Sequence, residues 1–136
     1  MSSFEHLDAW KTSHQLALAI YGTTEPLVES SNPDAVELSL QLRRLAILPA
    51  ARVARGWGGR DRRLFSHALF LAQGYLSEIE DQLKIATVIG VLTPEQSREL
   101  DSLRARAGFY VGKLIESVLM PDGLRRRPPK LKGGGS

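Results

Sequence analysis

Seven arginines stand between positions 43 and 63: Arg43, Arg44, Arg52, Arg55, Arg60, Arg62 and Arg63. Asp61 is the one carboxylate among them, and the stretch has no lysine. The guanidinium is planar, permanently charged and forked, so it suits bidentate contacts to phosphate or carboxylate and stacking on flat rings. Such an edge is committed to an anion, either an outside partner or the protein's own acidic surface. No comparable set of catalytic side chains occurs elsewhere. His6, His14 and His67 are not at metal-ligand spacing, and no Glu-x-x-His of the di-iron bundle type occurs. Glu78 shares a helix face with Asp81 and Gln82. Buried, that group would suit a metal; the plainer expectation pairs Glu78 with an arginine of the second helix. Gly56, Gly58 and Gly59 precede a basic helix, as in a phosphate cradle. The Gly-Lys-Ser/Thr ending of a nucleotide loop does not follow, so a tight interhelical turn is expected there instead. The expectation is a non-enzymatic protein with no catalytic residue, no metal and no cofactor.

The charge pattern sharpens this reading. Net charge is +3. Residues 43–63 carry seven basic groups and one acid, a balance of +6, and residues 121–136 carry five basic groups and one acid, a balance of +4. Subtracting both leaves −7 for the rest of the chain. An acidic body with a basic edge and a basic tail suits nucleic acid, and it also suits head-to-tail contacts between copies. With no cysteine, disulfides and thiolate metal sites are excluded. No apolar run reaches the ~18 residues of a membrane span. The opening Met1–His6 lacks the basic region and apolar core of a secretion signal. A cytoplasmic protein without membrane contact is expected.

The elements that must position the arginines are helices. At 136 residues the chain is one domain, long enough for a real core. Four helices are expected, over about 8–24, 34–56, 61–89 and from the Thr93-Pro94-Glu95-Gln96 capping box to near Pro121. Asn32 and Pro33 read as cap and first-turn proline of the second, and Gly56–Gly59 as its end. The third carries apolar residues at 65, 68, 72, 76, 79, 83 and 86, the seam of a bundle helix. The fourth carries Leu100, Leu103, Ala107, Tyr110 and Leu114 at the same spacing. No strand is expected. The fold class is all-α, an antiparallel up-down-up-down four-helix bundle over residues 1–120, followed by a basic Pro/Gly-rich tail over 121–136.

The second helix has two apolar lines. At 100° per residue, Leu38, Leu42 and Leu45 fall on one and Val36, Leu40 and Ile47 on the other. A monomeric bundle helix needs one stripe. Leu64, Leu71, Tyr75, Ile85 and Val88 likewise lie off the main seam of the third helix. A second packing partner, another subunit, is expected to use Val36, Leu40, Ile47, Trp57, Leu64 and Leu71; the plainer alternative is a wide stripe under a long loop. Pro49 removes a backbone donor inside the second helix, so a kink that re-aims the arginines is expected there.

Several motifs resemble one family. Phe4-Glu5-His6-Leu7-Asp8-Ala9-Trp10 is similar to its Phe-x-x-Leu-x-x-Trp opening. Leu38-x-x-Gln41-Leu42-Arg43-Arg44-x-Ala46 and Val53-Ala54-x-Gly56-Trp57-Gly58 resemble its second helix and the turn that ends it. Phe65 and Ala72-x-Gly74-x-x-x-Glu78-x-x-x-Gln82-Leu83 resemble its third. This is the four-helix bundle family of 23S rRNA intervening-sequence proteins, and the resemblance covers about residues 4–120. It implies an antiparallel four-helix bundle and a ring-like homopentamer in a bacterial protein. The accessory variability proteins of diversity-generating retroelements look like structural cousins; those are basic pentameric bundles that serve a reverse transcriptase and its template RNA. The chain departs from the family at Arg52 and Arg55, where Asn and Glu are usual, at Pro49, where the usual proline is shifted by one, and at Leu64, where an acid is usual. The first departure makes the edge more basic.

The functional expectation is a homo-oligomer that binds RNA or DNA through Arg44, Arg52, Arg55, Arg60, Arg62, Arg63 and the tail residues Arg125, Arg126 and Arg127. Trp57 beside them would stack on a base or sit at a subunit boundary. The alternative is a structural homo-oligomeric scaffold that binds a protein partner and uses its arginines at subunit interfaces.

Overall fold

The computed structural model describes residues 4–120, all of it helix and short connections. After a 3-10 turn at Phe4–His6 come α1 (Asp8–Thr24), α2 (Pro33–Ala46), α3 (Leu48–Gly59), α4 (Arg62–Val88) and α5 (Pro94–Leu119). The basic tail, with Arg125–Arg127, lies outside the described residues.

Local chemistry sets most of these bounds. Asn32 accepts from the Asp34 amide at 3.0 Å and opens α2 with Pro33 in its first turn. Asp61 accepts from the Leu64 amide at 3.1 Å and opens α4. Thr93 and Gln96 form the full reciprocal capping box of α5. Gly90, at φ 81°, provides the left-handed turn after α4 that a side chain would resist.

The long second helix of the sequence reading is two. Ile47, at φ −82° and ψ −14°, is a turn that interrupts the helix, and α3 resumes at Leu48 with Pro49 in its first turn, where the missing N–H costs nothing. Its far end also differs from expectation. Gly56–Gly59 stay helical, and the turn is the two residues Arg60 and Asp61. Arg60 takes the left-handed conformation there, at φ 58°, the one non-glycine to do so among the described residues.

Cross-helix contacts give the topology. Gln82 meets Gln41, Arg52 lies over Tyr75, and Gly56 abuts Phe65, so α2 and α3 run together antiparallel to α4. Gln73 bonds to Gly108 and Glu80 to Arg104, so α5 is antiparallel to α4. Arg43 reaches Tyr21 and Thr24, and His6 packs on Trp57, so α1 is antiparallel to the α2–α3 pair. The result is an up-down-up-down four-helix bundle whose second member is broken.

The core is an apolar column from all helices, including Leu16, Ile20, Leu42, Val53, Leu76, Leu83, Leu100 and Val111. On α4 the buried line is 65, 69, 72, 76, 79, 83 and 86; Leu69 takes the place expected of Ala68. On α5, Val111 and Val118 join Leu100, Ala107 and Leu114, while Leu103 and Tyr110 are half-buried.

Gly56 marks the tightest crossing. A Cβ there would sit 2.7 Å from Phe65 Cδ1 and 2.9 Å from Ala68 Cβ. Phe65 cannot yield easily, because its ring is edge-on to Trp57 at 5.9 Å. Gly56→Ala is expected to destabilise by about 1–3 kcal/mol through overpacking, despite alanine's helix preference. Gly22, with nothing within 4 Å of its added Cβ, is the control: Gly22→Ala should be neutral or stabilise by up to about 1 kcal/mol. Urea melts of the two variants check the contrast.

Candidate nucleic-acid interface

The seven arginines lie close in sequence and far apart in space. Along a helix, sequence distance becomes axial distance at 1.5 Å per residue, so Arg44 and Arg60 are about 24 Å apart along the bundle. The structure divides the set into three groups.

Arg43 is structural. Its Nε donates to Thr24 Oγ1 at 2.8 Å, its Nη2 donates to the Tyr21 carbonyl at 3.1 Å, and its guanidinium lies 4.5 Å from the centre of the Tyr21 ring. It closes the C-terminal end of α1, where a cation suits the exposed carbonyls. Arg43→Met, which keeps the apolar stem, should lower stability by about 1.5 kcal/mol through lost charge-assisted hydrogen bonds. Thermal or urea unfolding would read this, with RNA affinity within twofold of wild type.

Arg44 and Arg52 flank the break. Arg44 is exposed on the outward side of α2, with no ion pair among the described residues. Arg52 is half-buried, 5.9 Å from the centre of the Tyr75 ring. It packs α3 onto α4 and is the least open of the expected contacts among the described residues.

Arg55, Arg60, Arg62 and Arg63 gather where α3 turns into α4, and all four are exposed. No ion pair among the described residues involves Arg55, Arg60 or Arg63. The Asp61 carboxylate beside them is engaged on the α4 backbone. Trp57 does not offer a free face at this end. It is half-buried between the edges of His6, at 5.6 Å, and Phe65.

Glu78 departs from expectation. It is exposed and pairs with no arginine of α2 or α3 among the described residues. The reason lies in the register: the side of α2 that faces α4 carries Gln41, which accepts from Gln82 Nε2 at 3.1 Å, while Arg43 turns to α1 and Arg44 outward. The half-buried ion pairing forms elsewhere. Arg104 Nε donates to Asp101 at 2.7 Å, and its Nη2 lies 3.8 Å from Glu80. Sequence reasoning missed Arg104; the Asp101 three residues before it was the available signal. Among the described residues no group of three or more His, Asp or Glu is placed to hold a metal ion, and no helix is long and apolar enough to cross a membrane.

Apolar side chains stand open beside the broken helix. Leu40 and Ile47 are 42% and 52% exposed, and Leu64 is 61% exposed. Ile85 and Val88 are exposed, while Val36, Leu71 and Tyr75 are half-buried. No loop among the described residues covers Leu40, Ile47 or Leu64, which removes the long-loop explanation of the second stripe. By helical angle Leu40 and Ile47 fall on the side of α2 that carries Arg43, toward α1. Leu64 and Leu71 fall on the side of α4 that carries Gln82, toward α2. The two patches are therefore different surfaces.

Bundle, basic turn and open apolar stripes define a small all-α protein built around surfaces. The chain matches the family model described as 23S rRNA-intervening sequence protein over residues 5–108. It belongs to that family. No curated protein matches it.

Proposed function

We propose that this chain is a non-enzymatic, cytoplasmic protein that assembles as a closed homo-oligomer and binds nucleic acid, RNA first, through its arginines. The observation that carries the reading is the group at the α3–α4 turn: Arg55, Arg60 and Arg63 are exposed and have no acidic partner among the described residues. A cation that served the fold would be drawn in as Arg43 and Arg104 are. Membership of the 23S rRNA-intervening sequence family agrees with association with RNA. Backbone phosphates are the expected contacts, with little sequence preference. Assembly is supported by the uncovered Leu40, Ile47 and Leu64, and the homopentameric ring is the form that the family resemblance implies.

The test is equilibrium binding of a mixed-sequence RNA at low salt. Saturable binding supports the reading, and no binding at 50 mM salt rejects it. A second reading has its own observation. Arg44 lies at the level of Glu78 beside the Leu40–Ile47 stripe, and neither charge is paired among the described residues. That suits a scaffold in which Arg44 serves an interface between subunits or with a protein partner. Weaker assembly in Arg44→Ala with unchanged RNA affinity would assign Arg44 to that role.

A further inference from the structure

The apolar patch on α2 is part of a wider face. On α1, Trp10, His14, Ala17 and Tyr21 recur at steps of four, three and four, one line of the helix, with exposed Leu18 beside it. On α2 and α3, Val36, Leu40, Arg43, Ile47, Ala51 and Ala54 form a matching line that crosses the break. Arg43 on Tyr21 and His6 on Trp57 set the two lines side by side. Its rings are held in place: His14 lies flat on Trp10 at 4.6 Å, Phe4 backs Trp10 at 5.3 Å, and Arg43 covers Tyr21. Arg43 is the one permanent charge on the two lines, and its hydrogen bonds go to α1. Glu5, Lys11, Glu25, Arg44 and Arg55 stand at the margins. Few charges and several rings are the composition of a protein interface, not of a surface that holds phosphates.

α4 carries the second face. Leu64, Ala68, Leu71, Tyr75, Glu78 and Gln82 form a line on the side toward α2 and α3, and Glu78 is its one charge. Across from it Arg52 lies over Tyr75, with Arg44 and Arg55 along the edge that the two faces share. The contacts of Gln41 with Gln82 and of Arg52 with Tyr75 put the Leu40–Ile47 stripe at the height of Tyr75 to Gln82. Both faces therefore occupy the same stretch of the bundle.

We propose that the first face of each copy seats on the second face of the next, with bundles parallel and α1 against the neighbour's α4. A contact of the first face with itself leaves Leu64 and Leu71 of both copies in water; the head-to-tail contact covers both faces in every copy. At equal height it also answers a charge. Glu78 has no ion pair among the described residues, and neither has Lys11. The contact brings Glu78 to the margin of the neighbour's α1, where Lys11 and His14 stand. Both neighbours of a copy then lie on its α2–α3 side, and α5 faces away from them. The inference rests on the assembly reading and names the surfaces that meet.

Two measurements on the full-length protein test it. Leu40→Glu blocks the first face and Leu71→Glu the second. Each protein alone should scatter as a monomer, with its helices intact by circular dichroism. Mixed in equal amounts they should form a one-to-one pair of twice 15.0 kDa and nothing larger, because each pair keeps one intact contact. Two helical proteins that stay monomeric when mixed, or Leu71→Glu that assembles like wild type, overturn the proposal. Leu71 is half-buried, so the second measurement uses exposed positions and the absence of cysteine from the chain. Leu18→Cys with Glu78→Cys in one chain, treated with a short bismaleimide, should give a ladder of joined chains on a denaturing gel. Leu18→Cys alone should give none. A joined pair from Leu18→Cys alone, as self-contact requires, or no ladder from a double variant that still assembles, overturns the proposal and leaves the assembly reading intact. Wild-type protein that scatters as a monomer overturns both together.

Discussion

Leu40→Glu is expected to convert the assembled protein into monomers of 15.0 kDa. Leu40 is 42% exposed on α2, in line with Ile47 and beside half-buried Val36, and nothing in the described chain covers it. Within one bundle a carboxylate at this position keeps its water, so fold stability should change by no more than about 0.5 kcal/mol. Against a second subunit the same carboxylate loses its water without a partner, at about 3–5 kcal/mol. Each 1.4 kcal/mol is about tenfold, so the contact should weaken by roughly two to four orders of magnitude. Light scattering at micromolar concentration reads the mass, and circular dichroism shows whether the helices persist. Wild-type protein that scatters as a monomer would end the assembly proposal, because the stripe would then be a tolerated surface.

RNA affinity of the wild type should collapse with salt, by roughly 10³-fold between 50 and 200 mM, if about six arginines meet phosphates. The three open arginines of the turn and the three of the tail make up that number. Each contact contributes about −0.7 to −0.9 to the log–log slope, so the slope counts contacts directly. The structure also predicts unequal shares. Arg55→Ala should flatten the slope by close to one unit, because Arg55 is exposed and has no ion pair among the described residues. Arg52→Ala should flatten it less, because Arg52 leans on Tyr75. A flat salt response in a protein that still binds would mean that apolar or stacking contacts dominate, and the arginines would then belong to interfaces between subunits.

What the sequence made legible was local. Thr93 through Gln96 state a helix start in four residues, and Asn32–Pro33 state another, because a cap involves only neighbours. The spacing of the α4 seam fixed the fold class, although Leu69 displaced Ala68 in the buried line. Pro49 announced a kink, since the missing amide is a property of that residue alone, and the structure makes it a full break at Ile47. The site was legible in kind and not in shape. Seven arginines within a short window read as one edge, yet a helix spreads its residues along an axis, and the turn gathers only those near 60. Arg43 was indistinguishable from Arg44 until Tyr21 and Thr24 were placed beside it. Glu78 looked like a partner for an arginine because sequence does not show which side of α2 meets α4. The closeness of Gly56 to Phe65 and Ala68 was invisible for the same reason: it belongs to two helices at once.

The break at Ile47 has a consequence for assembly geometry. The open patch on α2 and the open patch on α4 are unlike surfaces, and contact between unlike surfaces relates each copy to the next by one repeated rotation. Such a series closes into a ring only if the rotation divides a full turn; otherwise it continues as a filament. In such an assembly the break between α2 and α3 would set the direction of the Leu40–Ile47 face relative to the rest of the rod, and with it that rotation. A single proline would then act as the hinge angle of a polygon, deciding how many sides it has and whether its last side meets its first.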